Sequence, residues 1–131
     1  MQIDIDPASE TPLYQQLHDR VVEAIASGEL PEGTPLASVR QLASAFGINL
    51  ATVGKGYDLL RQEGLVRTSR RSGSVVARDA GSGPAAPAFT GGWATRLRTL
   101  LAEAVAQGMT DDEIDDAVAG ELRRFRAGGD R

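Results

Sequence analysis

The chain has 131 residues, 41% of them hydrophobic, and a formal net charge of −4. That size suits one compact domain with an appendage and leaves no room for a large enzyme cavity. With no cysteine and one histidine, His18, the sequence excludes disulfides, a thiol nucleophile, thiolate metal sites and any zinc site built on two imidazoles.

A first helix is expected from Thr11-Pro12 onward. Thr11 is a capping residue type, and Pro12 suits the first helical position because its missing N–H has no partner to lose there. Leu13, Leu17, Val21, Ala24 and Ile25 follow at helical spacing, and Gly28 opens a turn that runs to Gly33. A short second helix starts at Ser38, which has capping-box spacing to Gln41. Val39, Leu42, Ala43 and Phe46 form its apolar stripe and Gly47 ends it. Only Ile48 and Asn49 then precede a third helix, capped by Asn49, apolar at Val53, Tyr57 and Leu60, and stopped at Gly64. Two helices joined by so short a turn containing glycine form a helix-turn-helix. Leu65 to Ser69 and Ser74 to Ala77, around a basic tip at Arg70-Arg71-Ser72-Gly73, read as a β-hairpin. The fold class is therefore mainly α with a small β-hairpin: a winged helix-turn-helix.

Residues 79–92 turn to Gly, Ser, Pro and Ala without apolar periodicity, the composition of a flexible linker. Beyond it, Trp93, Leu97, Leu100, Leu101, Ala104 and Val105 make one apolar face, and Gly108 breaks the run. Thr110 and Glu113 offer a second capping box, with Asp111 and Asp112 favourably placed against the helix dipole. Those acids, with Asp115 and Asp116, lie on a helix start and lack metal-ligand spacing, so capping and solubility explain them better than a cation. Ile114, Ala117, Val118, Leu122 and Phe125 mark a fifth helix. The expected layout is a DNA-binding domain over 1–78, a linker over 79–92 and a two-helix tail over 93–131. So small a tail has little core of its own, and its stripes are expected to bury against those of a second chain, giving a homodimer. Lining a small-ligand pocket is the alternative for Trp93 and its leucines.

The global charge hides a local one. Residues 1–35 carry one base and seven acids, residues 36–78 carry seven bases and two acids, a net +5, and residues 79–131 carry six bases and nine acids. A basic segment that coincides with a helix-turn-helix and a wing points to double-stranded DNA as the partner.

The segments Pro12-Leu13-Tyr14, Ile25-Ala26-Ser27-Gly28-Glu29-Leu30, Gly33-Thr34-Pro35-Leu36, Ser38-Val39-Arg40-Gln41-Leu42-Ala43, Thr52-Val53, Glu63-Gly64-Leu65-Val66 and the wing from Arg70 to Val76 stand in a fixed order. Through them, residues 12–78 resemble the amino-terminal domain of GntR-type regulators, and the short tail resembles that of the YtrA-like subfamily, whose tails serve in dimerisation. The resemblance implies that Arg40 approaches DNA from the start of the second helix. It implies that Asn49, Thr52 and Lys55 line the reading face of the third, and that Gly73, flanked by Arg70 and Arg71, lets the wing enter the minor groove. Where the subfamily often reads Asn-Pro-Asn-Thr-Val-Ser-Arg-Ala-Tyr, this chain has Asn49-Leu50-Ala51-Thr52-Val53-Gly54-Lys55-Gly56-Tyr57. Leu50 and Ala51 donate no hydrogen bonds to bases, though either can touch a thymine methyl. Gly54 and Gly56 each cost a helix about 1 kcal/mol relative to alanine, and each permits close approach of DNA or of a neighbouring helix.

The expectation is a sequence-specific regulator, a repressor binding a palindromic operator as a homodimer. It needs no cofactor, and a small-molecule effector is left open. No long apolar run and no signal peptide is read, so a cytoplasmic location away from membranes is expected. The rival is a winged-helix module that binds protein and not DNA, in which apolar side chains would replace Arg70 and Arg71. An enzyme is not expected: the sequence has no phosphate-cradling loop, no nucleophile with a histidine base and no metal cluster. For Arg40 a salt bridge within the domain is the alternative role. Tyr57 is read as core, and His18 as a helix-surface or core-edge residue.

Overall fold

The computed structural model describes residues 3–129. Among them the order is α1 (Leu13–Ala26), α2 (Val39–Phe46), α3 (Leu50–Gln62), β1 (Val66–Ser69), β2 (Gly73–Val76), α4 (Pro87–Ala106) and α5 (Asp111–Gly129). The mainly α winged helix expected from the sequence is the fold observed.

The apolar spacing of α1 and α3 builds the core. Leu17 and Val21 from α1, Val53, Tyr57 and Leu60 from α3, and Val76 from the wing are fully buried against one another. Gly56 is what lets the two helices close. A Cβ there would lie 3.1 Å from the Tyr14 carbonyl oxygen and 3.1 Å from Leu17 Cδ2. Of the two roles open to this glycine, close approach to a neighbouring helix is the one the fold uses.

The start of α1 differs from expectation. Pro12, not Thr11, is the cap residue, and no side chain caps the helix. Its carbonyl accepts the first helical bonds from the Gln15 and Gln16 N–H groups at 3.1 and 3.0 Å. The buried Gln16 amide does the remaining work: it donates to the carbonyls of Thr11 and Asp6 at 2.8 and 2.9 Å and accepts from the Asp6 N–H at 2.7 Å. It thereby fixes the amino-terminal arm on α1.

At α2 both capping-box bonds form. Ser38 Oγ accepts from Gln41 N at 3.1 Å, and Gln41 Oε1 accepts from Ser38 N at 2.8 Å. Gly47 ends the helix at φ +64°, the left-handed region where a side chain is costly. Phe46 leaves the expected stripe, since it stays exposed while Leu42 and Ala43 are buried.

β1 and β2 pair antiparallel, from Val66 opposite Val76 to Ser69 opposite Gly73. Gly73 therefore begins β2, and the tip is Arg70-Arg71-Ser72. The segment before α2 lies against β2 through an isolated bridge: Pro35 pairs with Val75, and Leu36 N donates to Ser74 O at 2.8 Å.

The expected linker, 79–92, is shorter and partly ordered. Its last six residues are the first turns of α4, because Pro87 is preset for a first helical position and Phe89 extends the apolar face one turn before Trp93. Its first residues form a turn around Asp79, whose carboxylate accepts from the N–H groups of Glu32 and Gly81, both at 2.8 Å, and from Ser82 Oγ at 3.1 Å. Those backbone bonds hold the Asp79 carboxyl below its ordinary value.

The second capping box forms between Thr110 and Glu113, at 3.1 and 3.2 Å. The last turns of α5 approach α1, where Glu121, Arg124 and Phe125 face Arg20, Glu23 and Ala24 across a groove of about 310 Å³. Along α4 no residue is buried, and Phe89, Trp93, Leu100 and Val105 are exposed, as are Val118 and Leu122 on α5. Among the described residues no helix is long and apolar enough to cross a membrane.

Candidate nucleic-acid interface

Three bonds hold the start of α2, the middle of α3 and the wing in one arrangement. Tyr57 Oη, on α3, donates to the Ala37 carbonyl just before α2 at 2.5 Å. Burial pushes the Tyr57 phenol up to about 12, so it stays a neutral donor at any ordinary pH. Leu36 N reaches Ser74 O on β2 at 2.8 Å, and Arg61 Nη1 on α3 donates to Thr68 Oγ1 on β1 at 2.9 Å. Tyr57 is thus both core and hinge pin, a role its apolar spacing alone did not disclose.

Arg40 is the second residue of α2, exposed, and forms no ion pair among the described residues. The alternative role weighed for it, a salt bridge within the domain, is not formed there. On α3 the buried face is Val53, Gly56, Tyr57 and Leu60. The opposite face carries Leu50, Ala51, Gly54, Lys55 and Asp58. Leu50 is 43% exposed, and a Cβ on Gly54 would meet nothing within 4 Å. Lys55 Nζ lies 4.0 Å above the centroid of the Tyr14 ring, a cation–π contact that steers its stem along α1.

Two expected reading residues are partly engaged elsewhere. Asn49 Oδ1 accepts from Ala51 N at 2.7 Å, which caps α3 and leaves only its amide nitrogen as a donor, and Thr52 is half-buried. The outward residues of the helix start are therefore Leu50, Ala51 and Lys55.

At the wing, Arg70 and Arg71 are exposed at the tip, and Ser72 N donates to Ser69 Oγ at 3.0 Å to close it. Gly73 adopts φ +68° with open space where a Cβ would stand. Its immediate function is the backbone turn.

The basic segment divides once partners are assigned. Arg61 pairs with Asp58, which masks the one acid on the outer face of α3 near Leu50, Ala51 and Lys55, and Arg78 Nη2 donates to Gly83 O at 2.6 Å in the linker turn. Arg40, Lys55, Arg67, Arg70 and Arg71 remain directed outward without an ion pair among the described residues. Sequence reasoning counted Arg67 in the charge but did not single it out. The signal was there in strand alternation, with Val66 inward and Arg67 outward.

His18 is a core-edge residue, as read. Its Nδ1 meets Asp19 Oδ1 at 2.8 Å, and its Nε2 meets Glu63 at the end of α3. Among the described residues no cluster of His, Asp and Glu could hold a metal ion.

Known proteins share this fold. The family described as bacterial regulatory proteins, gntR family, matches residues 13–76, the whole of the helix-turn-helix and wing. The solved structure of YtrA from Sulfolobus acidocaldarius, a GntR-family transcription factor, is 36% identical, covers 79% of this chain and 97% of its own, and superposes with a TM-score of 0.62. This chain belongs to the GntR family. A second solved structure, a transcriptional antiterminator from Listeria monocytogenes, is 25% identical with a TM-score of 0.86 over 95% of this chain and 92% of its own. The HTH-type transcriptional repressor YtrA of Bacillus subtilis is 38% identical over 78 residues, which are 60% of this chain and 60% of that protein. Within the GntR family the likeness is to the YtrA-like branch. GntR proteins are DNA-binding transcriptional regulators and not enzymes.

Proposed function

We propose that this GntR chain is a homodimeric repressor that binds a palindromic operator. Each protomer lays the start of α3 in the major groove and its wing alongside, so residues 1–78 serve as the DNA-binding unit and the tail as the dimerisation unit. The outward set of Arg40, Lys55, Arg67, Arg70 and Arg71 on one pinned scaffold is the observation that carries the DNA reading. Asn49 and Thr52 contribute at the edge of that face, and Gly73 shapes the wing tip. Guanidinium and ammonium groups grip phosphates, and phosphate contacts set register while base contacts set sequence. The wing tip exposes arginines where a protein-binding wing would expose apolar side chains. The repressor reading follows the name of the Bacillus relative.

The exposed tail supports the dimer. The chain exposes 9110 Å², whereas a compact chain of 13.8 kDa exposes about 6,600 Å². The excess of about 2,500 Å² per chain is in the range of an obligate interface. Two-fold symmetry then places two recognition helices about one helical turn of DNA apart.

Selection of a random-sequence duplex library by the full chain, followed by gel shift on the enriched duplex, tests the reading. Arg40→Ala and Lys55→Ala should each weaken binding about tenfold, since a dimer loses two contacts, and should leave the fold intact. Unchanged affinity for both variants contradicts the placement of the interface.

A further inference from the structure

We infer that Leu50, with Ala51 beside it, reads the C5-methyl groups of thymines, so that each half-site carries thymine beneath the first turn of α3. The inference rests on the DNA reading above and deepens it.

Base edges are usually read by hydrogen bonds, and this helix start offers few. Leu50, Ala51 and Gly54 have no side-chain donor or acceptor, and Asn49 has its oxygen engaged in capping. What the outer face presents is an apolar side chain, Leu50, 43% exposed on the first residue of the helix. In the major groove thymine alone presents a methyl, which projects from C5 into the groove beside its O4 acceptor. The first turn of a recognition helix is the part that meets base edges.

Gly54 adds an independent observation. It lies on the same outer face, one turn after Leu50, in ordinary helical conformation, and a Cβ there would touch nothing within 4 Å. Nothing inside the molecule calls for a glycine, which weakens a helix relative to alanine. Its absent side chain lets the backbone of α3 sink toward the groove floor, which brings Leu50 and Ala51 down to the methyls. Arg40 and Lys55 flank this smooth face as phosphate anchors, so the chemistry is an apolar centre between cationic edges.

The test uses the duplex enriched from the random library by the full chain. Each thymidine of the motif is replaced in turn by deoxyuridine, which keeps the base pair and removes only the methyl. At one position per half-site, loss of the methyl should weaken binding about fourfold per half-site, the equivalent of one buried methylene. Leu50→Ala should bind the thymidine and deoxyuridine duplexes within about twofold of each other. Circular dichroism should show its helices intact, since Leu50 is not in the core. A tightly bound motif that is indifferent to every deoxyuridine overturns the methyl reading, and a Leu50→Ala protein that keeps the full dependence overturns its assignment to Leu50; both leave DNA binding standing. Failure to enrich or bind any duplex at low salt overturns both.

Discussion

Tyr57 shows how one side chain serves both core and site. Its ring is fully buried in the core, and its hydroxyl ties α3 to the segment that launches α2. Because burial raises its pKa to about 12 from 10.0, the unfolded chain loses this proton first as pH rises. The stabilisation is complete below about pH 10 and is lost between about pH 10 and 12, amounting to on the order of 2 kcal/mol. Tyr57→Phe should cost about 1–2 kcal/mol at neutral pH by leaving the Ala37 carbonyl unpartnered. It should also flatten the fall in stability across that alkaline window, as urea melts at several pH values would show. The residue scale is also where the sequence was least legible. Spacing placed Tyr57 in the core but could not say where its hydroxyl went, because Ala37 is brought to it by tertiary packing. Arg40 was legible as a helix-start cation, while the pairing of Arg61 with Asp58 and Thr68 had to be seen in the fold.

At the scale of the element, local chemistry made most of the fold readable. Ser38 and Gln41, Asn49, and Thr110 with Glu113 cap their helices as their spacing demands, because those bonds are made within four residues. The start of α1 was not readable, since its organiser, Gln16, bonds ten residues back to Asp6. The start of α4 was missed because Pro87 to Gly92 looks like linker composition, and only Phe89 marks its apolar face. The two glycines of α3 look alike in sequence and differ in structure. Gly54→Ala should raise stability by about 1 kcal/mol, visible as a higher melting temperature, because its Cβ enters open space. Gly56→Ala should lower stability, by about 1–3 kcal/mol, because its Cβ presses on the Tyr14 carbonyl and forces α3 off α1. A melting temperature that moves the same way in both variants would contradict this division.

For the whole molecule, the winged domain closes on its own core while the tail does not. α4 and α5 leave Leu100, Val105, Val118 and Leu122 in solvent, and in proteins most helical stability comes from packing an apolar face against a neighbour. Light scattering on the full chain should therefore report two chains per particle. Leu100→Glu combined with Val118→Glu should give a monomer with its winged domain intact, and operator affinity should fall at least about tenfold as avidity is lost. A double variant that stays dimeric would place the interface elsewhere.

The central claim, that this chain grips duplex DNA through an outward cationic set, is tested most directly by the salt dependence of binding. Fluorescence anisotropy of the full chain on its enriched duplex should be followed from about 50 to 200 mM salt. With Arg40, Lys55, Arg67, Arg70 and Arg71 exposed on this chain and presented by both protomers of the proposed dimer, log K should fall with log salt at a slope of about −5 to −9. No binding at the lowest salt, or a slope near zero, would contradict it.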